Sequence, residues 1–158
     1  MYYIIDGPDG AGKSTLARQI QEANPGSIIL HFGTPATEEE ANNYWLTYFN
    51  ALKDYADKVV IFDRSWYSDM VYGPVMRNRC EMSPEHAEML EMTVRSLGGG
   101  IVIYCTGVQS KLWSRCVRRG ETYIPDSAVH KRICEAYDSV MRDITWLPVI
   151  RYNTTTTW

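Results

Sequence analysis

Hydrophobic positions along the chain fall into short apolar runs separated by longer mixed segments. The apolar runs carry several β-branched residues and predict strands at residues 2–5, 27–31, 58–62, 100–105 and 148–152. The segments between them predict helices at residues 13–23, 38–55, 84–97, 110–119 and 126–142. Runs with little polar alternation are typical of strands buried on both faces. The pattern therefore predicts an α/β fold with a parallel sheet between two layers of helices.

Turn residues mark one of these boundaries clearly. Ser83 followed by Pro84 is a favourable N-cap and first helical position. The glycines at residues 98–100 then end that helix and lead into the fourth strand. Since the chain has neither an internal repeat nor a long linker, we expect one domain over residues 1–158.

Composition narrows the function classes. The chain has 158 residues, 45% of them hydrophobic and 22% charged, with a net charge of −3. An acidic balance speaks against a general duplex-DNA or membrane-surface binder, although it leaves room for a local basic groove. No apolar run approaches the roughly 20 residues that span a bilayer, and Met1 leads directly into a strand. We therefore expect a cytoplasmic protein without a membrane partner, with its four cysteines as reduced thiols.

A glycine-rich segment follows the first predicted strand. It reads Gly7-Pro8-Asp9-Gly10-Ala11-Gly12-Lys13-Ser14 and fits G-x-x-x-x-G-K-[ST] just before a predicted helix. Its glycines allow backbone N–H groups to converge on phosphate oxygens, and the helix adds its positive N-terminal end. A glycine-rich turn with a surface lysine is the alternative, and the flanking elements make it improbable.

The segment therefore predicts binding of a nucleoside triphosphate, taken here as ATP. Lys13 is expected to contact the β- and γ-phosphates and Ser14 to coordinate Mg²⁺. The predicted nucleotide-binding residues are Gly7, Asp9, Gly10, Ala11, Gly12, Lys13, Ser14 and Thr15.

The third predicted strand leads into "VVIFDRSWYSDMVYG". Asp63 at its tip is placed to hold Mg²⁺ as a Walker-B carboxylate does, and Arg64 to bind a second anion. The alternative is an Asp–Arg pair that only caps the strand. A GTPase switch is disfavoured because the chain has no N-K-x-D tetrapeptide and no D-x-x-G after this strand.

These two stretches resemble the thymidylate kinase family. Its phosphate loop has a carboxylate two residues after the first glycine, matched by Asp9, and its D-R-Y-x-x-S-x-x-A-Y motif is matched by Asp63, Arg64, Ser68 and Tyr72. Position 65 is serine rather than the usual tyrosine or histidine, and "DRS" is similar to the E-R-S of deoxynucleoside kinases. The resemblance follows nearly the whole chain, although only these two motifs are specific.

The resemblance implies a three-layer P-loop kinase with five parallel strands in the order 2-3-1-4-5 and a lid at about residues 115–126. It implies that Asp9 contacts the acceptor sugar and that Arg64 contacts the acceptor phosphate. Gly10 stands where one subgroup has a catalytic arginine, so the transition-state charge falls to the lid. The candidates are Arg115, Arg118 and Arg119, with a solvated basic face as the alternative.

The acceptor side departs from the family. The stretch after the second strand, "LHFGTPATEEE", has no arginine to hold an acceptor phosphate, and Arg77 or Arg79 is the candidate replacement. A predicted helix carries Trp45 and Phe49, either of which could stack on a base, with core packing as the alternative. The histidines, with no carboxylate partner at a telling spacing, are interpreted as structural; they are His31, His86 and His130.

The resulting hypothesis is a Mg²⁺-dependent kinase that transfers the γ-phosphoryl group of ATP to a thymidine-type deoxynucleotide, most simply dTMP to dTDP. The alternative acceptor is the hydroxyl of 5-hydroxymethyluracil in bacteriophage DNA, as for some short phage relatives of thymidylate kinase. A deoxynucleoside kinase or a nucleotide-dependent switch ranks lower. The resemblance also implies a homodimer.

Overall fold

Five strands form one parallel sheet in the computed structural model, which describes residues 1–156. They are β1 (Tyr2–Asp6), β2 (Ile28–His31), β3 (Val60–Asp63), β4 (Gly100–Thr106) and β5 (Val149–Asn153). Their order is β2-β3-β1-β4-β5, and every neighbouring pair is parallel. The predicted strand order is confirmed. The predicted domain's last two residues, 157–158, lie outside the described residues.

Seven α-helices accompany the sheet in the described part of the chain. They are α1 (Lys13–Ala23), α2 (Glu38–Asn42), α3 (Tyr44–Asp54), α4 (Trp66–Tyr72), α5 (Pro84–Ser96), α6 (Gln109–Arg118) and α7 (Ser127–Asp143). A π-helical turn, Gly73–Arg77, continues α4. Within residues 1–156, no helix combines the length and apolarity that a membrane crossing needs.

Alternate strand residues pack into two apolar cores, one on each face of the sheet. Tyr2, Ile4 and Phe62 pack on one face against the larger core, to which α3, α4, α5 and α7 contribute. Ile5 and Ile61 point to the opposite face and pack against side chains of α1 and α6. Helices on both faces of a parallel sheet give the expected three-layer α/β fold.

Two helical features differ from the prediction. The helix expected at residues 38–55 is two helices, because the Asn43 side chain donates back to the Glu39 carbonyl (3.1 Å) and the backbone leaves helical geometry there. Helix α4 and its π-helical turn were not predicted at all. Pro74 lies in that turn, where its missing N–H cannot continue a regular α-helix.

The strand register brings candidate site residues together at the carboxyl ends of the central strands. Ile5 of β1 lies beside Asp63 of β3, and His31 of β2 lies on the other side of Asp63. All three strands end here, and the loop to α1 starts from β1. In open α/β sheets, ligands bind at the carboxyl ends of the strands.

Candidate active site

The loop between β1 and α1 requires glycine at two positions. Gly7 has φ 148° and Gly10 has φ 82°, values that side-chain-bearing residues rarely adopt. A Cβ at Gly7 would overlap the Cys105 carbonyl, and one at Gly10 would overlap the Leu112 carbonyl. Position 10 therefore has no room for an arginine side chain in this loop.

Lys13 lies folded into this loop and is only 6% exposed. Its Nζ donates to the carbonyl oxygens of Gly7 (2.7 Å) and Pro8 (2.8 Å), which leaves one of its three N–H groups for a further acceptor. Burial and the nearby Arg64 lower the pKa of Lys13, opposed by the Asp9 carboxylate. The geometry suits an ammonium held by the loop and directed at a phosphate oxygen.

Ser14 and Asp63 form a pair that fits a magnesium ion. The Ser14 hydroxyl donates to Asp63 Oδ2 at 2.7 Å, while Asp63 Oδ1 is buried without a hydrogen-bond partner among the described residues. Residues 1–156 hold no cluster of three or more metal-ligating side chains. Mg²⁺ does not need one, since it is usually held by one or two protein oxygens plus substrate phosphates and water. These two residues therefore suit the predicted metal role.

His31, which the sequence analysis interpreted as structural, has a carboxylate partner at the candidate site. Its Nδ1 lies 3.4 Å from Asp63 Oδ2, and its side chain is 59% exposed at the tip of β2. The carboxylate partner comes from the neighbouring strand, 32 residues later in the chain, so no local spacing could reveal it.

Asp9 and Arg64 form the polar centre of the site. Arg64 Nη2 donates to Asp9 Oδ1 at 2.6 Å, and the Tyr72 hydroxyl donates to Asp9 Oδ2 at 2.5 Å. Burial alone would raise the pKa of Asp9, but the charges of Lys13 and Arg64, with these hydrogen bonds, hold it below its ordinary value. Arg64 has φ 73°, a left-handed conformation of the kind that clusters at functional sites. Asp9 of the phosphate loop therefore meets Arg64 and Tyr72 of the second motif.

Asp6, which the sequence analysis did not single out, anchors this centre from below. It is fully buried and accepts hydrogen bonds from Gly7 N, from Ser65 N and Oγ, from Ser68 Oγ and from the Tyr137 hydroxyl. Ser65, the unusual residue of the second motif, is thus part of this cluster. The cluster joins β1, α4 and α7 beneath the phosphate loop.

A cavity of about 540 Å³ opens on one side of this centre. Asp9 and Arg64 lie at its junction with the loop, and Phe32, Tyr48 and Tyr72 contribute aromatic walls. Residues 120–124, between α6 and α7, cover it from the lid side. This size and lining suit a small organic ligand such as a nucleoside.

The predicted base-stacking residues do not line this cavity. Trp45 stacks on His86 of α5, with ring centroids 5.2 Å apart, and Phe49 packs beside Trp45. Tyr48 is the residue of α3 that lines the cavity, and its ring centroid lies 4.5 Å from that of Phe32. Trp45 and Phe49 therefore lie outside this cavity, and Trp45 packs against α5.

Arg77 does line the cavity. Its guanidinium donates to both oxygens of the buried Glu81 at 2.6 Å and to the Tyr123 hydroxyl at 2.6 Å. Arg79 donates to the same Glu81 at 2.5 Å. Glu81 therefore holds both candidate phosphate-binding arginines, of which Arg77 reaches the cavity wall.

The three predicted lid arginines have different surroundings. Arg115 lies within α6 and donates to the Gly10 carbonyl (3.0 Å) and to Thr154 (2.7 and 2.9 Å), which braces the phosphate loop. Arg119 follows the helix and lines a second cavity, about 420 Å³, with Lys13 and Arg18. Arg118 is exposed and lines neither cavity. The connection between α6 and α7 is residues 119–126, shorter than the predicted lid.

His130 supports the same loop from α7. It is fully buried, with Nε2 2.9 Å from the Asp9 carbonyl oxygen and Nδ1 3.0 Å from Gln109 Nε2. A ring that donates through Nε2 and accepts through Nδ1 satisfies both contacts. Its structural interpretation agrees with these contacts.

The model of the family described as polyphosphate kinase 2 (PPK2) matches residues 1–102, which is 102 of the 158 residues. The chain belongs to the PPK2 family. The match runs from β1 into β4, so it includes the phosphate loop, Asp63 and Arg64 but not α6 and the arginines at its end.

Individual similarities agree with the PPK2 assignment. The chain is 37% identical over 67 residues to the putative GDP-polyphosphate phosphotransferase PKK2A of Corynebacterium glutamicum, covering 41% of this chain and 21% of that protein. The chain thus matches about a fifth of the length of this curated relative.

Two solved structures share the fold. The YorR protein of Bacillus subtilis in complex with phosphorylated GDP has a TM-score of 0.79 at 23% identity, covering 98% of this chain and 86% of that one. Polyphosphate kinase 2 from Arthrobacter aurescens TC1 has a TM-score of 0.74 at 18% identity, covering 96% and 59%. The predicted P-loop kinase fold is confirmed.

PPK2 membership changes the family assignment. The resemblance to thymidylate kinases identified the P-loop kinase fold correctly, but the family that the comparisons show is PPK2. The short motifs around Gly7 and Asp63 belong to P-loop kinases generally, which is why they could not separate these families.

Proposed function

We propose that this chain transfers a terminal phosphoryl group from inorganic polyphosphate to a nucleotide. The observation that carries the proposal is the junction of two cavities. The one at the phosphate loop and the aromatic one share four lining residues, which are Asp9, His31, Arg64 and Glu121. A donor phosphate and an acceptor can thus meet at a common point, whereas a nucleotide-dependent switch needs no acceptor cavity.

The donor side supports a chain of phosphates. Its cavity is lined by loop residues, by His31 and by the cations Lys13, Arg18, Arg64 and Arg119, and within residues 1–156 no phenylalanine, tyrosine or tryptophan lines it. Polyphosphate offers only phosphate oxygens, which these cations and the loop N–H groups can bind. ATP, which the sequence predicts, is the second candidate because the loop would hold its β- and γ-phosphates equally well.

Each residue then has a role in transfer. Lys13 and the loop amides bind the donor, and Ser14 and Asp63 would hold a Mg²⁺, which would supply positive charge for the transferring group. Asp9 and Tyr72 orient Arg64, whose guanidinium is directed at the junction and binds the acceptor's phosphate. Arg119 approaches from the lid side. Phosphoryl transfer needs little beyond such positioning and charge neutralisation.

The test is a transfer assay with Lys13→Ala. Labelled polyphosphate and γ-labelled ATP are each offered with dTMP, other deoxynucleotides, GDP and 5-hydroxymethyluracil DNA. We expect label to pass from polyphosphate to a free nucleotide, and the Lys13→Ala variant to lose at least about 100-fold in kcat/KM.

Lys58→Ala is the matched control, because Lys58 is exposed and lies before β3, and it should keep full activity. Near-normal turnover by Lys13→Ala would contradict the assignment. Donor consumption that is indifferent to every acceptor would favour the switch, and label passing only to modified DNA would favour the DNA-base alternative.

A further inference from the structure

Asp69 is a buried carboxylate that the proposed transfer does not use. It lies on α4 and is only 4% exposed, yet it lines the aromatic cavity. The Tyr48 hydroxyl donates to its Oδ2 at 2.6 Å. No other hydrogen bond reaches its carboxylate from the described residues, so one carboxylate oxygen keeps its acceptor capacity. A buried charged group with so few partners is costly and calls for an explanation.

Its place in the cavity suggests what that acceptor is for. Asp9 and Arg64 lie at the junction with the phosphate loop, which is where an acceptor's phosphate end belongs. Asp69 and Tyr48 lie in the wall beside Phe32, among the aromatic rings. Aromatic walls with one hydrogen-bonding group are the surroundings in which proteins recognise a nucleobase edge.

The electrostatics make this carboxylate sensitive to its ligand. Burial raises the pKa of Asp69 from 3.8 to about 7, and the Tyr48 hydrogen bond partly opposes that rise. The titratable and charged groups around it are Tyr48, Tyr44, Arg77, Glu81 and Asp6. A ligand N–H that donates to Asp69 favours the ionised form, whereas a ligand carbonyl oxygen in the same place is repelled by it.

We propose that Asp69 selects the acceptor's base by accepting a hydrogen bond from an exocyclic amino group, so that amino-bearing bases are bound in preference to thymine and uracil. The proposal rests on the proposed function for the presence of a nucleotide in this cavity. It replaces the thymine base that the sequence favoured. Thymine and uracil present O4 where cytosine presents an amino group.

The test measures binding without any donor, by titration calorimetry with two matched pairs of nucleotides. dGMP and dIMP differ only at the 2-amino group, whereas dCMP and dUMP differ at C4, an amino group against an oxygen, and at N3, which accepts a hydrogen bond in cytosine and donates one in uracil. We expect the amino-bearing member of at least one pair to bind about 10- to 100-fold more tightly, as for a hydrogen bond to a charged group. Equal affinities within both pairs would overturn the proposal, as would the absence of nucleotide binding.

Asp69→Asn tests the residue itself. Its amide can donate to O4 and accept from the ring N–H of uracil, so the dCMP preference should disappear or reverse. Asp57→Asn is the matched control, because Asp57 is exposed, and it should keep the preference. An Asp69→Asn variant that melts like wild type and still prefers dCMP would overturn the assignment.

The pH dependence gives a readout that does not need a folded Asp69 variant. Asp69 ionises as pH rises through its raised pKa, so the dCMP-to-dUMP preference should grow between about pH 6 and 8. Taking the ratio cancels titration of the nucleotide phosphate. Tyr48→Phe removes a hydrogen bond that lowers this pKa, so the midpoint should move to higher pH, and an unmoved midpoint would count against the proposal.

The two proposals fail separately. Selective binding of dCMP without phosphoryl transfer would end the proposed function and leave the role of Asp69 intact. Transfer to dCMP and dUMP with equal kcat/KM would keep the proposed function and end the role of Asp69.

Discussion

Arg64 combines a strained backbone with the central charge of the site. Its φ of 73° is sterically unfavourable for a residue with a Cβ. Its N–H donates to the Ile5 carbonyl at 3.0 Å, which fixes the turn that directs its guanidinium at Asp9. The strain is therefore coupled to the position of the side chain that the proposed function needs.

Comparing Arg64→Gly with Arg64→Ala separates strain from charge. Both variants lose the guanidinium, so both should lose at least about 100-fold in kcat/KM. Only glycine relieves the left-handed conformation, and we expect the Gly variant to be about 0.5–1 kcal/mol more stable than the Ala variant. Urea denaturation of the two measures this difference. An Ala variant about 0.4–1 kcal/mol more stable than the Gly variant, as at an ordinary position, would show that the backbone there is unstrained.

At the scale of elements, the Asp6 cluster joins the phosphate loop to two helices. Asp6→Ala leaves Ser65, Ser68 and Tyr137 without their buried acceptor, and we expect a loss of at least about 3 kcal/mol in unfolding free energy. Tyr137→Phe removes one donor and leaves the carboxylate bound by the others, so it should cost about 1 kcal/mol. Chemical denaturation compares them, with exposed Asp57→Asn as the control. Equal losses for the two cluster variants would show that Asp6 does not unite these elements.

The sequence predicts an element well when neighbouring residues determine it, and poorly when tertiary packing does. The five strands and the phosphate loop follow from runs of neighbouring residues, and the strand order follows from the resemblance to the thymidylate kinase family. The segment at α4 is dense in aromatic residues and runs into Gly73 and Pro74, so its local signals oppose a helix. It is helical because Ser65 caps it and because its side chains are buried in the core.

The acceptor cavity was the least predictable part of the site. On α3, Trp45 and Tyr48 are both aromatic, and only packing against α5 decides that Trp45 turns away from the cavity. Phe32 lies in a segment without a motif, Asp69 stands at an unspecified position of the second motif, and the fold brings both to Tyr48. Contacts between residues so distant in sequence leave no periodic signal in a single chain.

For the molecule as a whole, the net charge is negative, but cationic side chains cluster at the donor cavity. The chain carries a formal charge of −3, yet the donor cavity gathers Lys13, Arg18, Arg64 and Arg119 at one edge of the sheet. Acidic side chains elsewhere keep the rest of the surface unattractive to polyanions, while these cations focus a positive potential where the proposed donor binds. A polyanionic donor should therefore be held mainly at this one place.

Salt dependence tests that distribution. Binding a flexible polyphosphate releases counterions, so log KM for polyphosphate should rise linearly with log salt concentration, with a slope of about 0.7 for each cation that contacts a phosphate. Arg119→Gln removes one cation of the donor cavity and should lower the slope by about 0.5–1. Arg118→Gln makes the same charge change one residue away, outside the cavity, and should lower it much less. Initial rates between 50 and 400 mM salt, about the range in which such contacts are screened, give both slopes. Equal reductions in the two variants would mean that the donor responds to overall charge rather than to this cavity.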